Sequence, residues 1–225
     1  MSHSYYYDLE AMQGGVDDHR HREVIGGLWE EIGALQMSFL LAQGLKPEHR
    51  LMDVGCGSLR LGVKAIPYLE ANRYYGTDLN EILIRAGYER ELSPEMQARV
   101  PMSHFGVNED FGFDFLDQKM DVAIAQSVFT HLPLNYLRRC LNNLAPHMNQ
   151  GGRFFVTYFE CREGQNLFSP IEQPNGGVIT HDYQDPFHYR RADLSFAVEA
   201  DQWGFEPIGD WNHPRGQQMA CFRKL

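Results

Sequence analysis

The run Leu51-Met52-Asp53-Val54 has the length and apolarity of a buried strand, and it ends at once in Gly55-Cys56-Gly57-Ser58. Helical spacing resumes at Leu61, Val63, Ile66 and Leu69. Strand, two-glycine turn and helix in that order make the opening unit of a parallel sheet covered by helices. Glycine at both positions lets the backbone turn sharply and lets a ligand lie close against it. A helix starting there presents unpaired N–H groups and a positive dipole end to an anion. A second strand, Arg73 to Thr77, leads into Asp78, 23 residues after Gly55. A carboxylate at that strand end can accept hydrogen bonds from both hydroxyls of an adenosine ribose. A glycine pair alone serves many ordinary turns. Its place between strand and helix, with Asp53 before it and Asp78 after it, is what carries information.

The remaining chain continues the alternation. A helix is expected from Glu23 to Gly44, with Ile25, Leu28, Trp29, Ile32, Leu35, Phe39 and Leu40 on its apolar side. A crossover helix follows from Glu81 to Leu92, then a short turn capped by Ser93 with Pro94 at its first position. Val100 to Phe105 reads as a third strand, and Asp121 to Ala125 as a fourth, apolar enough to be buried on both faces. Pro133 opens a helix whose inner face is Leu137, Leu141, Leu144 and Met148, and Arg153 to Tyr158 is a fifth strand. A polar stretch bearing Gly and Pro runs from Glu160 to about Arg190, before a helix from Ala192 to Trp203. The last strands, Phe205–Trp211 and Gln218–Arg223, are separated by six residues, too few for a parallel crossover, so they form an antiparallel hairpin. The expected fold is therefore α/β: a doubly wound, Rossmann-like sheet of seven strands, mostly parallel, with a C-terminal antiparallel hairpin. Residues 1–44 would be an arm and a helix packed on the core, a helix that could also serve an oligomer interface. Residues 45–225 would be the main domain, with a loop or lid near 160–190.

Composition excludes several classes. Net charge is −10, and no basic cluster exceeds the pairs Arg138-Arg139 and Arg190-Arg191, so no nucleic-acid partner is expected. Cys56, Cys140, Cys161 and Cys221 form no C-x-x-C pair. The N-terminus MSHSYYYDLE lacks the apolar core of a signal peptide, and no apolar run approaches the roughly 18 residues of a membrane span. The expected setting is cytoplasmic, with free thiols and no membrane contact. The polar lead-in, with Tyr5-Tyr6-Tyr7 and His19-Arg20-His21, reads as solvated; its histidine pair has no further ligands nearby, so no metal is expected.

A nicotinamide dinucleotide would satisfy part of the same pattern. Its G-x-G-x-x-G fingerprint needs a third glycine for close helix–strand packing, and Arg60 stands there. A ligand bringing a methionyl carboxylate and amine tolerates a bulkier residue, and Asp53 suits a cationic amino group. The chain resembles the class I S-adenosylmethionine-dependent methyltransferases over roughly residues 45–225. The resemblance rests on LMDVGCGSLRLG (Leu51–Gly62), YYGTDLN (Tyr74–Asn80), DVAIAQSVFTHLP (Asp121–Pro133) and the C-terminal hairpin. The opening GGLWEEIGALQ (Gly26–Gln36) is similar to a helix of a bacterial small-molecule branch whose members often lack an assigned substrate. The resemblance implies S-adenosyl-L-methionine as cofactor, with Gly55, Cys56 and Gly57 along its methionyl and ribose part. It implies Asp53 toward the amino group, Asp78 on the ribose and Leu79 over one adenine face. Gln126 would touch the methionyl moiety. The family's adenine-binding Asp falls in register on Asn108, followed by Glu109 and Asp110, which leaves open which of them contacts the base.

A sulfonium is already an activated methyl donor, so alignment of the acceptor does most of the work. A hydroxyl or amine acceptor could be helped by a base, and His131, just beyond the fourth strand, is the candidate by position; the alternative is that it only packs the loop. His181, His188 and Tyr189 in the long loop and His213 at the hairpin are candidates for holding a small-molecule acceptor, with Asp182, Asp185, Tyr183, Phe187 and Asp210 near them. The expected reaction is O- or N-methylation of a small molecule. A nicotinamide-dependent oxidoreductase and a non-catalytic member that binds the cofactor without turnover are the competing readings.

Overall fold

In the structure, a computed structural model describing residues 9–225, side chains alternate across the strands and divide the core into two layers. In β1 (Leu51–Val54), Leu51 enters one layer while Met52 and Val54 enter the other. β2 (Tyr74–Asp78) splits Tyr74 from Tyr75, and β4 (Met120–Ala125) splits Val122 and Ile124 from Ala123 and Ala125. Burial on both faces is what a central parallel strand requires. One layer is closed by α7 (Leu134–Leu144) through Leu137, Cys140, Leu141 and Leu144. The other is closed by α4 (Gly62–Tyr68) and by Leu40 of α3 (Trp29–Ala42).

With β3 (Phe105–Val107), β5 (Met148–Glu160), β9 (Trp203–Asp210) and β10 (Gln218–Lys224), the path across the sheet is β3-β2-β1-β4-β5-β10-β9. The first five of these run parallel, and β10 pairs antiparallel with both β5 and β9. Pro207 is tolerated because β9 is an edge strand. The expected seven strands gain an eighth, since β8 (His188–Tyr189) pairs parallel with the end of β5. β6 (Ile171–Glu172) and β7 (Ile179–Thr180) form a small antiparallel sheet of their own in the stretch expected to be loop.

Several local expectations fail for identifiable reasons. The single helix from Glu23 to Gly44 is instead α2 (His21–Val24), a turn and then α3, because Gly26, Gly27 and Leu28 take successive left-handed conformations (φ 93°, 61° and 49°). The lead-in is not irregular from Leu9 onward. It holds α1 (Leu9–Asp17), whose Met12 and Val16 pack on Leu83 and Ala86 of α5 (Glu81–Arg90). His21 is buried and not solvated, while Tyr5-Tyr6-Tyr7 lies outside the described residues. The third strand starts only at Phe105, after Pro101 and a 3-10 turn at Met102–His104. Pro146 stops α7 short of Met148, which pairs with Met120 as a strand residue. The helix from Ala192 to Trp203 is a 3-10 segment, Arg191–Ala197, and Trp203 begins β9. Ser93 does cap α6 (Pro94–Gln97), accepting from the Met96 N–H at 3.3 Å. Among the described residues no helix is long and apolar enough to cross a membrane, and all four cysteines are free and buried. As expected of a helix packed on the core, α3 has Trp29, Ile32, Gly33, Gln36 and Leu40 buried within the chain itself.

Candidate active site

The carboxyl ends of β1 to β4 open into a cleft of about 1030 Å³ counting its open mouth, walled by residues of the loops that follow these strands. It lies where strand order reverses, with β1 between β2 and β4, the usual binding position in an open α/β sheet. Its floor is the turn after β1. Gly55 and Gly57 are left-handed (φ 74° and 51°), and three N–H groups tie the turn to the end of β2. Gly55 and Cys56 donate to Thr77 O at 2.7 and 3.0 Å, and Gly57 donates to Asp78 Oδ2 at 2.8 Å. A Cβ on Gly55 would stand 2.3 Å from Val128 Cγ2, and one on Gly57 2.9 Å from Ile25 Cγ2. The glycines thus admit neighbouring loops as much as they admit a ligand.

Four residues separate the glycine turn from the helix. Ser58 to Leu61 are turn, with Leu59 left-handed (φ 67°), and α4 starts at Gly62. The positive charge at the turn comes instead from Arg60, which is buried in the cleft wall. Its guanidinium donates to Ile25 O (3.4 Å), Gly27 O (2.9 Å) and Gln126 Oε1 (2.6 Å). It therefore ties the N-terminal segment and the β4 loop to the β1 turn. Gly33 makes this possible, since a Cβ there would meet Arg60 O at 3.0 Å. Gln36, one helical turn further along α3, lines the cleft with its Oε1 buried and unpartnered. Ile25, Gln36 and Arg60 were absent from the expected site. The only sequence signal for any of them was a large cation where the nicotinamide fingerprint has glycine.

Most of the expected cofactor residues do share the cleft wall: Gly55, Cys56, Gly57, Asp78, Leu79, Asn108, Glu109 and Gln126. Asp78 accepts from Gly57 N–H with Oδ2 and from Asn80 N–H with Oδ1 (2.9 Å). Burial raises its pKa, while those backbone donors and that of Leu79 oppose the rise. Each carboxylate oxygen keeps capacity for a second donor. Asn108 donates to Gly112 O and accepts from Gly112 N–H, both at 2.9 Å, and also donates to Thr77 Oγ1 of β2 at 3.3 Å. Asp110 turns to Arg139 (3.5 Å) and is not in the wall, so Glu109 is the carboxylate of the three that faces the cleft. Gln126 bridges Arg60 to Ser127 Oγ (2.5 Å), which is also bonded to Gln217. Asp53 is not in the wall. It is buried beneath it, accepting from Tyr74 O–H at 2.7 Å, with burial pushing its pKa up to about 7 against the opposing Tyr74 bond and Arg60 charge. The Cys56 thiol is pushed well up by burial and by Asp78 and Asp53, which leaves it a neutral apolar wall group.

His131 also lines the cleft, and its Nδ1 lies 2.6 Å from Asp185 Oδ1. The four expected acceptor residues are elsewhere. His188 is fully buried between Thr180 Oγ1 and Leu167 O, both at 2.9 Å. Tyr189 is buried with its hydroxyl on Leu132 O at 3.3 Å, and His181 packs edge-on to Tyr183. His213 stacks on Trp211 behind Gln126 (Nε2 to Nε2 3.3 Å). Burial first, then the charges of Arg215 and Arg60, lower its pKa to about 4. No group of three His, Cys, Asp or Glu among the described residues is arranged to hold a metal ion.

Residues 52–154 match a family model described as a methyltransferase domain. The chain superposes on the magnesium protoporphyrin IX methyltransferase of Synechocystis PCC 6803 with bound S-adenosylhomocysteine, at a TM-score of 0.65 and 15% identity, covering 96% of this chain and 97% of that one. An S-adenosylmethionine-dependent methyltransferase of Clostridium acetobutylicum superposes at 0.63 and 10% identity, with 94% and 98% covered. The Haemonchus contortus phosphoethanolamine N-methyltransferase 1, with phosphoethanolamine and S-adenosylhomocysteine, also superposes at 0.63, with 14% identity, 100% of this chain and 50% of that chain. At these identities the superpositions establish the fold, and the matched central residues carry the domain assignment; together they set the oxidoreductase reading aside. Residues 52–154 thus match a methyltransferase domain, set in a chain that has the fold of S-adenosylmethionine-dependent methyltransferases.

Proposed function

We propose that the protein transfers a methyl group to a hydroxyl or amine of a small molecule, with the cofactor in the β1–β4 cleft and His131 at the acceptor. The observation that carries this reading is the presence of His131 in the same cleft wall as Gly57 and Asp78. The donor set fits the cofactor. Asp78 is a carboxylate with spare acceptor capacity for two ribose hydroxyls, and Glu109 faces the cleft where the adenine amino group needs an acceptor. Arg60 supplies a cation for the methionyl carboxylate, and the buried, unpartnered Gln36 Oε1 is an acceptor for the ammonium. Leu79, Leu83 and Phe111 give the cleft apolar wall suited to the base.

When bound, the cofactor supplies a sulfonium-activated methyl group. The chain's own residues hold, orient and dry the site. Ile25 and Val128, packed against Gly57 and Gly55, close the turn from above. The Arg60–Gln126–Ser127–Gln217 chain of hydrogen bonds fixes the polar end of the cleft. His131 accepts the acceptor's proton if one must leave. The long 160–190 insert, through Asp185 and Phe187, holds the loop that carries His131. Incubation of the protein with labelled S-adenosylmethionine and a small-molecule extract of cells tests the reading. A labelled low-mass product is expected; label appearing only in protein or nucleic acid would refute it.

A further inference from the structure

Gln126, just beyond β4, meets a demand for an acceptor from three sides. Its Oε1 accepts from Arg60 Nη2 at 2.6 Å, which leaves its NH₂ facing Ser127 Oγ at 2.5 Å and His213 Nε2 at 3.3 Å. On the His213 side this orientation sets donor against donor. The Arg215 N–H is directed at His213 Nδ1 at 3.1 Å, and a neutral imidazole has one lone pair. With that pair on Nδ1, Nε2 carries the hydrogen and points it at the Gln126 NH₂. Burial, then the charges of Arg215 and Arg60, keep the ring neutral, and an imidazolium would have no lone pair for either neighbour. On the Ser127 side, 2.5 Å is the length of an O–H···O bond and short for N–H···O. With the amide turned over, Oε1 would accept from both Ser127 O–H and His213 Nε2–H. Ser127 would then accept from Gln217 Nε2, which lies at 2.7 Å against 3.0 Å for Gln217 Oε1. Arg60 prevents the turn, because the NH₂ would stand against its guanidinium.

We propose that Gln126 is a positioning residue that reads the cofactor's carboxylate: once a carboxylate takes the acceptor position at Arg60, the amide turns over. Its NH₂ then donates toward the carboxylate, and its Oε1 accepts from His213 and Ser127. This rests on the reading that places the methionyl carboxylate at Arg60. The two orientations are the two states of one side chain, and a ligand shifts them by the difference in its affinity for each. Part of the carboxylate's binding energy therefore comes from donors it does not touch. His213 and Gln217 belong to the final hairpin, while Ser127 leads into Val128 and Leu132 of the cleft wall. With every donor matched, the hairpin is locked onto the loop after β4. A nucleoside without the amino acid part leaves the donors opposed and this end of the cleft incomplete.

Calorimetric titration with S-adenosylhomocysteine and with 5′-methylthioadenosine, which keeps the nucleoside and thioether but lacks the amino acid, reads the coupling. Gln126→Glu offers acceptor oxygens on every side, so it occupies Arg60 and matches Ser127 and His213 with no ligand present. This variant is expected to melt at or above the wild-type temperature and to bind 5′-methylthioadenosine as the wild type does. Its affinity for S-adenosylhomocysteine is expected to fall by about tenfold or more. His213→Phe keeps a ring against Trp211, removes the N–H that the turned amide serves, and lies outside the cleft wall. It is expected to weaken S-adenosylhomocysteine alone, by about threefold to tenfold. Wild-type affinity for S-adenosylhomocysteine in Gln126→Glu, a lowered melting temperature in that variant, or equal losses for the two ligands in His213→Phe would overturn the proposal. If the wild type binds both ligands equally, Arg60 does not hold the carboxylate and the underlying reading of the site fails. That result is distinct from a wild type that prefers S-adenosylhomocysteine and variants that leave the preference unchanged, which refute the role of Gln126 alone.

Discussion

Replacing Asp78 by Asn changes charge without changing shape, and the structure separates two consequences. Asp78 Oδ2 holds the Gly57 N–H of the turn at 2.8 Å and Oδ1 holds Asn80 N–H at 2.9 Å, so an amide NH₂ on either side faces a donor where an acceptor stood. That loosens the turn for every ligand. The ribose hydroxyls add a second loss that only a ligand carrying them feels. Hydrogen bonds to a charged acceptor contribute about 2–3 kcal/mol, so S-adenosylhomocysteine should bind about 30- to 150-fold more weakly to Asp78→Asn. A 2′,3′-dideoxy analogue should lose only the part due to the turn. Calorimetric titration of both proteins with both ligands forms a closed cycle whose coupling energy isolates the ribose contact. Burial raises the pKa of Asp78, so the ionised carboxylate is a burden on the free fold, and the neutral variant should keep most of its stability while losing affinity. Equal losses for the two ligands would show that Asp78 shapes the turn and does not touch the ribose.

Other perturbations follow from the same geometry. Gly55→Ala puts a Cβ 2.3 Å from Val128 Cγ2 at φ 74°, and should lower stability by about 1–3 kcal/mol in a thermal melt, with Val128→Ala recovering part of it. Arg60→Met removes the donors to Ile25 O, Gly27 O and Gln126, so amide exchange should accelerate at residues 21–28 while β4 and β5 stay protected. His213, depressed from 6.5 to about 4, contributes stability that is present above pH 6.5 and lost as pH falls toward 4, roughly 3 kcal/mol. Asp53, raised from 3.8 to about 7, acts in the opposite sense: its contribution is present below pH 3.8 and lost as pH rises to 7, roughly 4 kcal/mol. The two largely cancel in the wild type. Urea denaturation of Asp53→Asn should therefore show stability falling between pH 7 and 4.5 more steeply than in the wild type, and parallel curves would contradict the opposed pair.

What could be read along the chain was what depends on neighbours in sequence. The glycine turn, the acidic end of β2 and the final hairpin are local patterns, and each lies where its pattern put it. Contacts across the fold were not legible. Nothing near Arg60 announces that its guanidinium holds carbonyls of residues 25 and 27, or that Gly33 exists to let α3 approach it. His131 was found by its place after β4, but its partner Asp185 was one polar loop residue among several until the chain brought it within 2.6 Å. Two of the histidines expected to hold the acceptor, His188 and His213, are buried; the His188 ring satisfies its nitrogens on Thr180 and Leu167, which is as useful to packing as to chemistry. Helical spacing misled at residues 23–28, where backbone conformations open to glycine overrode the apolar period.

A crystal structure of the protein grown with S-adenosylhomocysteine tests the central claim most directly. The account predicts the ligand in the β1–β4 cleft, both ribose hydroxyls on the Asp78 carboxylate, adenine against Leu79, and the homocysteine carboxylate toward Arg60. Ligand seated elsewhere, for example in the open depression between Glu160, Arg191 and Asp210, or in the cleft with its ribose away from Asp78, would contradict it.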